Sequence, residues 1–512
     1  MIRLISALNI VGMITAQSFY RAAVVEYATR TNAETFTNIV LENVKEYLFY
    51  IEDAANQAVD IIVFPEDGLT EMDIDFNNID SFSTLVPDPL SNISPCDAPY
   101  NATFSKALID ISCAAEAHRI YVVVNLVEKY YDVSEVIYYN TNVVFDRNGV
   151  VIVRFRKINL YKEKYVKPGN ESIYFTTDFG VTFGIFICND ILFKNPSIDV
   201  LNNLEITDVI FSTAWFAELP FHTALSVQHG YAVSNKVNLL AANLDDPDSG
   251  KGGSGIYLAN GEIADMYISG ARTSKMLMAT VHKITRSNSN NYCQTLGETL
   301  VEKKANLGVL PDVSEFNTLP ENLENYTFVD LHLSQKNIFE EACSGSNFCC
   351  SINITLKAST KINYAYKLVA FNGGRYIGWD SIGERVCGVV ACLNESNVSC
   401  GLRHSTAPLG ITFERLSLEG IFHDLQRSHI WPSTINFDLH PISKYTFCEE
   451  DIGNDKIKAT LTAEAQDSLL TFGLIQRVFD NDNKGTGVFN NGGIHLINLN
   501  YIVIFSIIRF LM

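Results

Sequence analysis

The chain has 512 residues, a hydrophobic share of 47%, an aromatic share of 11% and a formal net charge of -20. That length exceeds what one core holds, so two domains are expected, and the apolar content excludes a disordered chain. The acidic balance, without a basic cluster of the kind phosphate backbones need, excludes nucleic acid as a partner.

Met1 to Gln17 carries one positive charge, a short apolar stretch and a small residue at Ala16. This is the pattern of a secretory signal cut near Ala16; a buried first element is the alternative. Ala22 to Tyr27 reads as a strand, and Phe36, Ile39, Val40, Val44, Leu48 and Ile51 recur at helical spacing. Ile61 to Phe64 is a continuous apolar run, as a strand buried on both faces requires. A helix near Phe104 to Glu116 precedes a strand over Ile120 to Val127. Strands near Asn142 to Phe145 and Val151 to Arg156 flank Asp146-Arg-Asn-Gly149, a hairpin turn. The apolar run Val181 to Ile187 ends at Cys188. A strand (Asp208 to Ser212), a helix (Phe221 to Lys236, carrying His222 and His229 as packing or surface residues) and a strand (Val237 to Ala242) follow. The glycines of Gly250 to Gly255 lack the order of a phosphate-binding loop and predict a turn. This alternation argues a layered α/β domain.

Residues 286–292 are polar and read as a linker; beyond them short alternating runs such as Ser351 to Leu356 and Asn363 to Val369 predict a β-rich second domain. Cys343, Cys349, Cys350, Cys387, Cys392 and Cys400 crowd one stretch of it, and Cys96 could bridge Cys113. In an oxidising compartment ten of the 11 cysteines could pair, leaving one free. Seven Asn-x-Ser/Thr sequons, at Asn92, Asn101, Asn170, Asn325, Asn353, Asn394 and Asn397, fit the same secreted route. The chain ends in an apolar tail after a segment rich in small residues. The tail is shorter than the roughly 20 residues of a spanning helix, so a lipid-anchor signal is expected, with a terminal strand as the alternative. The expected divisions are a signal over 1–16, a catalytic domain over 17–285, a disulfide-stapled domain over 286–480 and the tail over 481–512.

Three reactive residues stand at strand ends: Glu66 after Ile61 to Phe64, Lys157 after Val150 to Arg156, and Cys188. Placed together at one sheet edge, they would supply a nucleophile, a base and a cation. A cysteine attacks as the thiolate, so a carboxylate that takes its proton and an ammonium that holds the developing oxyanion complete an acyl-enzyme mechanism. The backbone N–H of Asn189 is a further oxyanion donor. Each residue also has an ordinary reading: structural thiol, surface lysine, turn glutamate.

The strand–Glu, strand–Lys, strand–Cys order resembles the nitrilase superfamily. The sequence is similar to its biotinidase/vanin branch over about residues 20 to 283, in Phe64-Pro-Glu-Asp-Gly-Leu69, Tyr139 to Phe145, Arg156 to Tyr161, Phe183 to Phe193, Ser212 to Trp215 and Gly253 to Tyr257. The resemblance implies an α/β fold, an α-β-β-α sandwich with a β-rich second domain. It implies Glu66 as proton acceptor, Lys157 as proton donor and oxyanion stabiliser, and Cys188 as nucleophile, with no metal or organic cofactor. Glu163 matches a further acid near the lysine, with a surface charge as its alternative. Trp215 is expected to line the pocket, or to be a buried structural residue. Asn189 stands where this branch usually has an aromatic, which puts the acyl pocket in question. The implied substrate is a small linear amide: pantetheine, cut to pantothenate and cysteamine, or biocytin. A non-catalytic surface binder on the same fold and an acyl transferase are the other readings.

Overall fold

The computed structural model describes residues 17–31, 35–70, 74–97, 103–133, 135–286, 292–296, 311–357, 364–378, 380–403, 411–423, 429–442, 444–485 and 487–488. The expected signal, the sequon at Asn101, most of the linker and the apolar tail lie outside them. Among the described residues no helix is long and apolar enough to cross a membrane.

Two sheets face each other in the first half. One runs Lys275–His282, Phe19–Glu26, Ile61–Val63, Tyr121–Asp132, Glu135–Phe145 and Val151–Arg156, with Ser83–Thr84 added beside Tyr121–Asp132. The other runs Ile263–Tyr267, Ser254–Tyr257, Asn238–Asn243, Ile206–Thr213, Thr182–Ile187 and Ile173–Thr176. Each has a parallel centre of three strands with antiparallel flanks.

The period of two in a strand sorts the side chains. Ala22, Val24, Ile61 and Val63 join the core between the sheets, whereas Ala23, Val25, Ile62 and Phe64 join a second core under the helices. That is why these runs are apolar throughout: both faces are covered. Helix Phe36–Asn56 buries Ile39, Val40, Val44, Tyr47 and Ile51, and Thr35 caps it by accepting from Asn38 N. Helix Lys106–His118 is capped in the same way by Ser105 and packs beside it. Helix Ala224–Asn235 covers the other sheet and is buried on nearly every side, because strand His429–Asn436 of the second half packs over it. The fold is thus an α-β-β-α sandwich.

The second half is two antiparallel sheets. One orders Tyr292–Thr295, Tyr445–Asp451, Lys456–Asp467, Thr412–His423, Phe348–Lys357 and Asn337–Ser344; the other orders Thr327–Asp330, Ala365–Ile377, Asp380–Cys392, Leu469–Arg477 and His429–Asn436. Disulfides staple it: Cys343–Cys349 and Cys392–Cys400 close local loops, Cys350–Cys387 joins the two sheets, and Cys293–Cys448 ties in its first strand. Cys96 bridges Cys113 as expected. Cys188 is the cysteine left free.

Two expectations need correction. The three strand ends do not share one sheet edge: Ile61–Val63 and Val151–Arg156 belong to one sheet and Thr182–Ile187 to the other. His222 is outside the helix, which begins at Ala224. The N–H groups of Phe221 and His222 both donate to Glu321 Oε1, at 2.7 and 2.8 Å, so a carboxylate from the second half holds this segment. The glycine-rich segment is a turn, with Gly252 and Gly253 at φ 154° and 103°, leading into Ser254–Tyr257.

Candidate active site

Strand Thr182–Ile187 stops at its last apolar residue, and the chain turns into the 3-10 segment Cys188–Leu192. Cys188 has φ 46°, a left-handed backbone that costs a non-glycine residue about 1–3 kcal/mol and persists only where its surroundings fix it. Asp190 is what fixes it. Its carboxylate accepts from Ile187 N at 3.2 Å and from Asn159 N and Nδ2 at 2.7 and 2.8 Å, tying the cysteine turn to the loop after Lys157. Burial raises the Asp190 carboxyl to about 7 against these bonds.

Glu66 and Lys157 come from the facing sheet, at the same end. Both are buried, and Lys157 Nζ lies 2.7 Å from Glu66 Oε1 and 2.8 Å from Glu163 Oε2. Glu163 is therefore part of the cluster and not a surface charge. Glu66 Oε2 accepts from Ala214 N at 3.0 Å, so the carboxylate bridges the two sheets. Burial works against the charge of Lys157, but Glu163, Glu66 and the Cys188 side hold its pKa well above the ordinary lysine range. The ammonium is fixed in its charged form. The Cys188 thiol also moves upward, which for a thiol favours the neutral form: burial first, then the Glu66 charge, pushes it well up, and Lys157 offsets this only in part. The resting thiol keeps its proton, and a base must remove it.

These groups open into a cleft of about 470 Å³, lined among others by Glu66, Lys157, Glu163, Cys188, Asn189 and Trp215. Trp215 is locked there, its N donating to Asn243 Oδ1 and its Nε1 to His222 O, each at 2.8 Å. The Asn189 side chain is buried beside Cys188, and its Oδ1 and Nδ2 have no hydrogen-bond partner among the described residues. His222 and His229 are buried elsewhere: His222 pairs with Glu321 and Glu384, and His229 Nε2 contacts Gly261 O.

Sequence reasoning missed Asn140 and Asp67. Asn140 Nδ2 donates to both glutamates, to Glu66 Oε1 at 2.9 Å and Glu163 Oε1 at 2.6 Å, and its Oδ1 accepts from Asn125 at 2.7 Å. The signal was available: Asn125, Asn140 and Asn142 are amides in otherwise apolar strands, and a buried polar residue needs a partner. Asp67 lines the cleft, and burial followed by the charges of Glu66 and Glu163 pushes its carboxyl well above the usual range. That favours a neutral acid that can donate a hydrogen bond.

A free thiol, a carboxylate and an ammonium line one cleft, the groups that hydrolysis of a carbon–nitrogen bond can use. The family model of the carbon–nitrogen hydrolases matches residues 21–281, and that of the Vanin C-terminal domain matches residues 316–482. The chain is 32% identical over 500 residues to Vanin-like protein 1 of Drosophila melanogaster, covering 91% of this chain and 86% of that one. It is 30% identical over 455 residues to Pantetheine hydrolase VNN2 of Homo sapiens (83% and 82%) and 35% identical over 238 residues to Biotinidase of Bos taurus (44% and 45%). This chain belongs to the vanin/biotinidase branch of the nitrilase superfamily.

Proposed function

We propose that the protein hydrolyses pantetheine to pantothenate and cysteamine through an acyl-enzyme on Cys188. The observation that carries this is the contact of Lys157 with Glu66 at 2.7 Å on the wall of the cleft that holds the one free cysteine. Relatives named pantetheine hydrolase support the substrate. Glu66 takes the thiol proton as Sγ attacks the amide carbonyl carbon. The oxygen that becomes negative is held by Lys157 and the Asn189 N–H. Glu66 then passes the proton to the departing nitrogen, the C–N bond breaks, and cysteamine leaves as the amine. A water, deprotonated by Glu66, attacks the thioester; the C–S bond breaks and the acid is released. Glu163 holds Lys157 from the other side, and Asn189 and Trp215 contact the substrate.

Biocytin is the second reading, favoured by the 35% identity of the catalytic half to a biotinidase. We also place the protein outside the cell, glycosylated and held by a lipid anchor added in the C-terminal tail. Five disulfides and the exposure of Asn92, Asn170, Asn325, Asn353, Asn394 and Asn397 support the secreted route. The test is hydrolysis of pantetheine and biocytin side by side, with Cys188→Ala as control. Pantetheine turnover that Cys188→Ala lowers at least about 1,000-fold is expected. Cleavage of biocytin alone rejects the substrate, and full activity in Cys188→Ala rejects the mechanism.

A further inference from the structure

We propose that Ile377, at the tip of a hairpin in the C-terminal half, is a specificity-determining residue of this active site. It closes the cleft against the part of a substrate that extends beyond the reacting amide. The proposal rests on the reading of Cys188 as nucleophile, not on which amide is cut.

Ile377 lines the same cleft as Cys188 and Lys157, although about 190 residues separate it from the cysteine, and it is 8% exposed. Strands Ala365–Ile377 and Asp380–Cys392 pair without a break up to Ile377 opposite Asp380, so the ladder holds Ile377 in place. The turn rests on the catalytic half. Gly378 sits at φ 61°, and a Cβ built there would lie 3.2 Å from the Tyr161 ring and 3.5 Å from its Cα. Tyr161 and Phe216, both in the cleft wall, have ring centroids 6.3 Å apart. Ile377 completes an apolar wall with them.

Arg375 fixes the tip. It lies two residues back, on the same face of the strand as Ile377. Its Nη1 meets Glu218 Oε2 at 3.1 Å and its Nε meets Glu384 Oε2 at 3.0 Å. Glu218 is itself a cleft residue. One carboxylate from each half thus grips the arginine, and the hairpin cannot swing away without stranding a nearly buried guanidinium. The chemistry follows from the sides of the cleft. The inner side, with Glu66, Lys157 and Glu163, handles the amide; the Tyr161–Phe216–Ile377 side suits an alkyl chain, with the ammonium groups of Lys162 and Lys251 5.4 and 4.9 Å from the Tyr161 and Phe216 ring centroids at its rim.

The test uses the full-length, disulfide-intact protein and two reagents with the same reacting group, iodoacetamide and N-hexyl iodoacetamide. The readout is the ratio of their rates of alkylation at Cys188. Ile377→Ala should lower the hexyl-to-unsubstituted ratio about tenfold, because truncating an apolar contact in a pocket is worth about 10-fold or more in discrimination. Ile377→Asp should lower it further, and Ile377→Leu should return it to within about twofold of the wild type. A ratio that keeps its wild-type value in Ile377→Ala and Ile377→Asp, even if both rates fall together, overturns the wall. If neither reagent labels Cys188 in the wild type, the nucleophile assignment falls and the wall with it.

Discussion

Two of the buried ionic clusters differ in what surrounds them. The first joins Glu66, Lys157 and Glu163, with Asn140 bridging the carboxylates. The second joins His222, Glu321, Glu384 and Arg375 where the two halves meet. Both hold charges out of water, but in the second His222 Nε2, Glu321 Oε2, Glu384 Oε1 and Arg375 Nη2 have no hydrogen-bond partner among the described residues. The first opens into a cleft and faces a free thiol; the second touches that cleft only through Glu218, the other partner of Arg375. Buried charge fixes geometry in either place, and it becomes chemistry only where a nucleophile and an entrance are added. On the reading proposed above, a perturbed histidine is therefore a poor guide to the active site, and a strand-end cysteine is a good one.

The largest difference between the clusters should appear on replacing one carboxylate in each. Glu66→Gln keeps shape and leaves Lys157 its contact with Glu163, so the fold should persist. The thiol then has no base, and its proton is held by burial. We expect kcat to fall about 100- to 10,000-fold, read in steady-state turnover with thermal unfolding as the control for folding. Glu384→Gln should do the reverse, costing stability with less loss of turnover. A Glu66→Gln enzyme within tenfold of wild type would assign the base elsewhere.

Much of this was legible in the sequence, for a physical reason. Strands buried on both faces are continuous apolar runs, so Ile61 to Phe64 and Val181 to Ile187 announce themselves, and the reactive residues stand where the runs stop. What pairs with what is not local. That Thr182–Ile187 adds to Ile206–Thr213, and not to the sheet of Glu66, depends on packing across the whole sandwich. Asn140, Glu321 and Ile377 act across separations of 74, about 100 and about 190 residues, and no neighbour in sequence betrays them. The expected helix over Phe221 to Lys236 includes His222, whereas the helix begins at Ala224. The N–H groups that would have opened that helix are taken by Glu321 instead.

The second cluster makes its own prediction, an intermediate one. Burial and then Arg375 oppose the charge of His222, but Glu321 and Glu384 outweigh them and raise its pKa from 6.5 to about 9. A raised pKa means the charged form is favoured by folding. Its contribution is full below pH 6.5 and is lost as pH rises through about 9. A shift of that size corresponds to about 3 kcal/mol. Calorimetry from pH 6 to 10 should show Tm of the wild type falling across that window. In His222→Gln, Tm should start lower and change less. Parallel curves would mean that the histidine is neutral in the folded protein.

The smallest expected effect lies inside the first cluster and tests whether the amide bridge matters beyond the ion pairs. Asn140 donates to both glutamates and is held by Asn125 behind it. It touches no reacting atom, so it is a positioning residue. Asn140→Ser withdraws the bridging donor, and the two carboxylates keep Lys157 between them and one backbone donor each, Ala214 N on Glu66 and Tyr161 N on Glu163. The loss should be one or two hydrogen bonds to charged groups, felt as about a tenfold drop in kcat with KM nearly unmoved. Asn140→Asp should cost more than Asn140→Ser, because a third carboxyl group in that space repels the two already there. A packing role would give the opposite order, since aspartate fills the site as asparagine does and serine leaves a gap. The ranking of the two variants in kcat therefore separates positioning from packing.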